Sequence, residues 1–204
     1  PTPTERGTET DPAASDPILD LDGYPYGVGE TRLDSARQVM ADAGYGPDNR
    51  FELQLLQFQS ASWKEIFNTI RARLSSAYVD LHIQETTAVN LIETAKNGTH
   101  EVITLGWIMD YPRPQNFVQL IDPPNTVSGN GGTSASGAFL FWSEDAMVDP
   151  ALTAYQTAQF DRIEANPEPT GPARAVRQDA AVRMEEGNWA AAGLVPIYHG
   201  FREV

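Results

Sequence analysis

Asp110 is the residue of this chain most strongly marked for chemistry, and its neighbours are what mark it. It lies in GWIMDYPRPQNF, residues 106–117, at the end of an apolar run. Trp107 and Tyr111 flank it, and Pro112 and Pro114 follow. A carboxylate in that setting has three uses. It can close an Asx-type turn into the prolines. It can be half of an acid/base pair. It can balance a bound cation, because a desolvated carboxylate beside aromatic rings suits an ammonium group.

Other candidates carry weaker signals. His82, His100 and His199 are far apart, and none has a neighbour at metal-ligand spacing. Each is expected on polar surface or at a strand end, and no metal or other cofactor is expected. The run DLDG, residues 20–23, has the shape of a calcium loop. Its first and twelfth ligand positions would be Ile18 and Gly29, so the match fails. Ser134 and Ser136 lie among glycines but not in a G-x-S-x-G elbow. The surrounding GNGGTSASG has no Lys and is no phosphate loop. Pairs such as Glu144-Asp145 and Glu185-Glu186 read as solvated faces in a chain this acidic. Asn97-Gly98-Thr99 is a glycosylation sequon, which matters only outside the cytoplasm. No residue is assigned a catalytic role.

The elements that must position Asp110 follow from periodicity. Residues 31–34, TRLD, have the pattern of a capping box. The helix behind them shows Leu33, Ala36, Val39, Met40 and Ala43 on one face, and Gly44 sits where a left-handed cap belongs. FELQLLQF, residues 51–58, reads as a strand. Ser62 to Glu65 form a second capping-box pattern, with Trp63, Ile66, Phe67, Ile70 and Leu74 at helical spacing. VDLHIQ, residues 79–84, alternates with period two. A short helix over 88–96 ends at Asn97-Gly98, and EVITLGW, residues 101–107, is a mostly apolar third strand expected to be central. This order is a βαβαβ core, an α/β fold with a parallel component and flanking helices. Asp110 then falls at the carboxyl end of the third strand, where open α/β sheets hold ligands. Beyond it come a loop over 123–137, a helix over about 149–163, the linker NPEPTGP, and a helix from Pro172 that stops at Gly187. LVPIYHG, residues 194–200, reads as an edge strand. There is no internal repeat.

Composition bounds the function classes. The chain has 204 residues and a net charge of -14, which argues against a nucleic-acid partner. Cys is absent, which removes disulfides and thiolate chemistry. Only Lys64 and Lys96 are lysines, and the other twelve basic residues are Arg. Acid excess with scarce Lys is a pattern of salt-loving organisms, where high salt screens the repulsion. A high-GC genome also replaces Lys by Arg. Residues 1–17, rich in Pro, Thr and Asp, read as a flexible lead-in without a signal-peptide pattern.

GWIMDYPRPQNF resembles the G-W-x-x-D-Y-P-D-P-x-N-F signature of family 5 solute-binding proteins of ABC transporters, the peptide-binding type. Residues 33–56 and 61–83 are similar to that family's helix–strand segments, and FWSEDAMVD and LVPIYHG to its later motifs. Coverage is roughly residues 20 to 200. Three positions depart from the pattern: Ala77-Tyr78 replaces a Gly and suggests a different turn, Arg113 replaces an Asp, and Ser143 replaces an Asn. The resemblance implies one lobe, residues 18–204, of a two-lobed periplasmic-binding-protein-like (class II) fold, with the first lobe missing. It implies a receptor outside the membrane, anchored to it in full length, that carries peptides or similar solutes to ABC permease subunits. It also implies a ligand-binding set of Asp110, Trp107, Tyr111 and Asn116, with Asp110 on the peptide's α-ammonium. Two other readings stay open: an acidic hydrolase using Asp110, and a sensor domain of the same fold.

Overall fold

The computed structural model describes residues 31–108, 110–111, 113–125, 150–191 and 193–195. The chain divides into two compact units with the boundary after Trp107. The expectations placed on residues 1–17, 20–23, 134–136, 141–149 and 196–200 lie outside the described residues.

The first unit alternates helix and strand: α1 (Leu33–Asp42), β1 (Phe51–Phe58), α2 (Ala61–Ser75), β2 (Val79–Thr86), α3 (Ala88–Asn97) and β3 (Val102–Ile103). The strands are parallel in the order β2-β1-β3. The βαβαβ reading of the sequence is therefore the observed topology. β1 pairs with β2 over its whole length, from Phe51 opposite Val79 to Phe58 opposite Thr86. The apolar stripes of α2 and the strands meet in a core of Leu55, Phe67 and Leu81, with Trp63, Ile70, Leu74 and Ile83 packed around it.

Two local expectations fail, each for a backbone reason. β3 is not central: among the described residues the middle strand is β1, and β3 pairs only through Val102 and Ile103. One further bond runs from the Thr104 N–H to the Leu56 carbonyl before the ladder ends. Neither capping box forms. α1 starts after Arg32 and α2 after Ser60, both without a side-chain cap bond, so Thr31 stands too early and Ser62 lies inside its helix. In the turn before β2, Tyr78 adopts φ 67°, in the left-handed region, where the resemblance expects Gly. Its carbonyl accepts from the Phe51 N–H and Arg37 lies 5.9 Å from its ring centre, contacts that offset the cost of a left-handed aromatic residue.

The glycine stops at Gly44 and Gly98 behave as expected. Gly44 has φ 87°, its N–H donates to the Ala41 carbonyl, and the Tyr45 N–H donates to the Met40 carbonyl. That pair of bonds is a Schellman motif, which satisfies carbonyls the helix end would otherwise leave open. Thr87 caps α3 by accepting from the Asn90 N–H, and Gly98 closes it at φ 63°.

The second unit contains α4 (Gln115–Val118), α5 (Pro150–Glu164) and α6 (Gly171–Ala191). Two short 3-10 turns, Gln119–Ile121 and Pro123–Asn125, follow α4. Val118, Ile121, Ile163, Ala180, Ala181 and Met184 form its core, with Phe160 and Leu194 against it. Leu194 is held by Asn188, which donates to its carbonyl and accepts from its N–H at 2.7 and 2.9 Å. Residues 194 and 195 are not in a strand.

α6 does not stop at Gly187 but runs four residues further. Glycine there serves packing, not termination. A Cβ at that position would lie 2.2 Å from Gln156 Oε1 on α5. Gln156 is fully buried and donates to the Met184 carbonyl at 3.0 Å, so it cannot retreat without breaking that bond. Gly187→Ala should therefore destabilise the chain by about 1–3 kcal/mol despite alanine's better helix propensity. Urea unfolding checks this, and the pair Gln156→Ala with Gly187→Ala should recover part of the loss. A stabilised single variant would mean the helices have room to part.

Candidate functional site

Asp110 follows β3 by seven residues and opens the second unit's chain. Its surroundings are set by Asn116 in α4. The Asp110 N–H donates to Asn116 Oδ1 at 3.1 Å, and Asn116 Nδ2 donates to Asp110 Oδ2 at 3.4 Å. Asn116 is 0% exposed, whereas Asp110 is exposed. Backbone bonds hold the loop between them: Arg113 N–H to the Tyr111 carbonyl at 2.8 Å and Asn116 N–H to the Arg113 carbonyl at 3.1 Å.

This arrangement bears on the Asx-turn reading. An Asx turn would need the Asp110 carboxylate to accept from the N–H two residues on, but that residue is Pro112, which has none. The next N–H, on Arg113, goes to a main-chain carbonyl instead. The buried asparagine shapes the turn, and the carboxylate of the exposed Asp110 keeps acceptor capacity.

Of the four expected site residues, the structure brings Asp110 and Asn116 together. Tyr111 is adjacent in the same unit and 42% exposed. Trp107 is half-buried and belongs to the other unit. His82 meets Glu52 across the β1–β2 ladder, and His100 Nδ1 lies 3.4 Å from the Thr94 carbonyl, with burial lowering its pKa. His82, exposed in the middle of β2, fits the polar-surface role expected of it, and His100, just before β3, fits the strand-end role. Among the described residues no group of three or more acidic or His side chains could hold a metal ion.

Sequence reading missed Asp122. It follows the 3-10 turn after α4 and is 3% exposed. Its Oδ2 accepts from Asn125 Nδ2 at 2.7 Å, and its Oδ1 has no hydrogen-bond partner among the described residues. Burial raises its pKa from 3.8 to about 7, and the negative charges of Asp161 and Glu164 add to the effect. Nothing in DPPN signals this, because burial comes from helices far along the chain.

A raised carboxylate pKa fixes the sign of a pH effect. Between about pH 4 and 7 the folded chain holds a proton that the unfolded chain has released. The stability linked to this proton is fully present below pH 4 and is lost as pH rises through 7. Asp122→Asn mimics the protonated acid, so the variant should lack this loss and exceed the wild type at pH 8 by about 2–4 kcal/mol. Urea midpoints measured from pH 5 to 8 test it. Parallel curves for the two proteins would show that Asp122 does not titrate in this window.

The fold defined by these elements is the periplasmic-binding-protein-like class II fold, of which the chain covers a part. No family model matches the chain. It is 25% identical over 168 residues to the periplasmic murein peptide-binding protein MppA of Escherichia coli K12. That match covers 80% of this chain and 26% of the relative. Among solved structures it superposes on Haemophilus influenzae OppA in complex with RPPGFSPFR, with TM-score 0.61 and 17% identity. Helicobacter pylori DppA in complex with peptide STSA gives TM-score 0.58 and 18% identity. These cover 83% and 87% of this chain, and 30% of each solved chain. The resemblance to family 5 peptide-binding proteins read from the sequence is thus supported by both kinds of comparison. The chain spans under a third of the length of each of these three relatives.

Proposed function

We propose that the chain is one lobe of a two-lobed solute-binding protein that takes up peptides or similar small solutes outside the membrane and delivers them to an ABC permease. The observation that carries this reading is the pairing of an exposed Asp110 carboxylate with a fully buried Asn116 that fixes its backbone and one of its oxygens. An anion held in place but left accessible suits a ligand cation better than a turn. Asp110 anchors the α-ammonium, Tyr111 supplies an aromatic wall, and Asn116 acts by positioning Asp110. The likeness to MppA, OppA and DppA supports the peptide class and a location outside the cytoplasm, as does the periplasmic label of MppA. Among the described residues no helix is long and apolar enough to cross a membrane. Binding without turnover fits the absence of an activated nucleophile in the motif.

Tryptophan fluorescence of the full-length protein, titrated with di- to pentapeptides, tests the proposal. Saturable quenching with intact peptide recovered afterwards supports it. Cleaved peptide would favour the hydrolase reading, and no response to any peptide would remove the peptide class.

A further inference from the structure

Beside the motif, the second unit has an open cleft of about 460 Å³ lined by Tyr111, Arg113, Gln115, Glu164 and Pro167. Its polar groups are of three kinds. Glu164 is an exposed carboxylate at the end of α5 that forms no ion pair among the described residues. Arg113 likewise forms no ion pair there; one of its five N–H groups donates to the Pro167 carbonyl at 3.2 Å, which leaves the others open. Gln115 is only 6% exposed, and its Oε1 has no hydrogen-bond partner among the described residues. A buried amide oxygen without a partner is costly, and because Gln115 lines the cleft, a side-chain rotation would offer that oxygen to a ligand N–H.

The rim is held in place. Arg177 Nη1 donates to the carbonyls of Asn166, Pro167 and Glu168 at 3.1, 3.2 and 2.8 Å. It clamps the α5–α6 linker, and with it the Pro167 wall. Tyr111 and Pro167 provide apolar sides. An unpaired anion, an unpaired guanidinium and an unpartnered acceptor in one cleft are complementary to a molecule that carries both charges.

We propose that this cleft binds a small zwitterion bearing an ammonium and a carboxylate, of the class of free α-amino acids. The ammonium donates to Glu164 and to Gln115 Oε1, and the carboxylate accepts from Arg113. The site lies within one unit, and it does not depend on Asp110.

The test is a nuclear magnetic resonance titration of the 204-residue chain with L-alanine, N-acetyl-L-alanine and L-alaninamide. Alanine should give saturable shifts at Gln115 and Tyr111. Each blocked analogue should bind about tenfold more weakly or worse, because each loses one charge-assisted contact. Glu164→Gln should weaken alanine by about tenfold and leave N-acetylalanine unchanged. Arg113→Gln should weaken alanine similarly and leave alaninamide unchanged. Both side chains are exposed, so neither change threatens folding. Asp110→Asn should leave alanine binding intact, which separates this site from the peptide anchor. Non-saturable shifts, equal affinity for all three compounds, or loss of alanine binding in Asp110→Asn would each overturn the proposal.

Discussion

Asp110→Asn should weaken the binding of a free-amine peptide to the full-length protein by about thirtyfold or more. Bound between two lobes, Asp110 and the ammonium would form a buried, hydrogen-bonded charge pair, and truncating one partner of such a pair costs about 2–5 kcal/mol, much of it the penalty of leaving the other charge unpaired. The fold should hardly notice. The Asp110 N–H bond to Asn116 uses the main chain and survives the change, and the side-chain bond it alters is a long one at 3.4 Å. An N-acetylated peptide should bind the wild type poorly and lose little further affinity in the variant. Asn116→Ala should behave differently. It removes the group that orients the carboxylate and opens a hole at a fully buried position, so both affinity and melting temperature should fall. Calorimetry with the two peptides and thermal melts of the variants decide the matter. Equal losses for free and acetylated peptide in Asp110→Asn would return Asp110 to a structural role.

Asp179→Leu should cost about 3–5 kcal/mol, among the largest stability losses open to a single substitution in the described residues. Asp179 is 5% exposed and sits between α5 and α6. Its Oδ2 accepts from Arg183 Nε at 3.0 Å and from Arg162 Nη2 at 3.3 Å. Arg162 also donates to Gln159 Oε1. Burial alone would lower the Arg183 pKa, but hydrogen bonds to Tyr155 and Asp179 and the Asp179 charge reverse that and raise it. Removing Asp179 strands a buried guanidinium with its main counter-charge gone. Replacing the triad together, Asp179→Leu with Arg183→Met and Arg162→Leu, should recover most of the loss, because apolar groups of similar volume need no desolvation to be matched. Urea unfolding of the single and triple variants gives both numbers. A loss below about 1 kcal/mol in the single variant would mean water reaches Arg183 after the change.

Local chemistry was legible in the sequence at several places where neighbours along the chain decide it, although neither capping box formed. The period-two run over 79–84 and the three-four spacing from Trp63 to Leu74 record which side of each element faces the core, and both elements formed where expected. Gly44 and Gly98 ended their helices because only the backbone of the turn itself matters there. The motif around Asp110 was visible for the same reason. Tertiary structure alone decided the rest. A strand's apolar content does not say how many neighbours it has, so β3 looked central although β1 carries a ladder on both sides. α6 is buried over nearly every position from Asp179 to Asn188, so it shows no polar stripe from which its burial could be read, and Gly187 passed for a stop. The Asp179–Arg162 ion pair and the raised pKa of Asp122 depend on partners 17 or more residues away. Sequence spacing records which face of an element is apolar; which polar groups meet inside is fixed only when distant helices close on them.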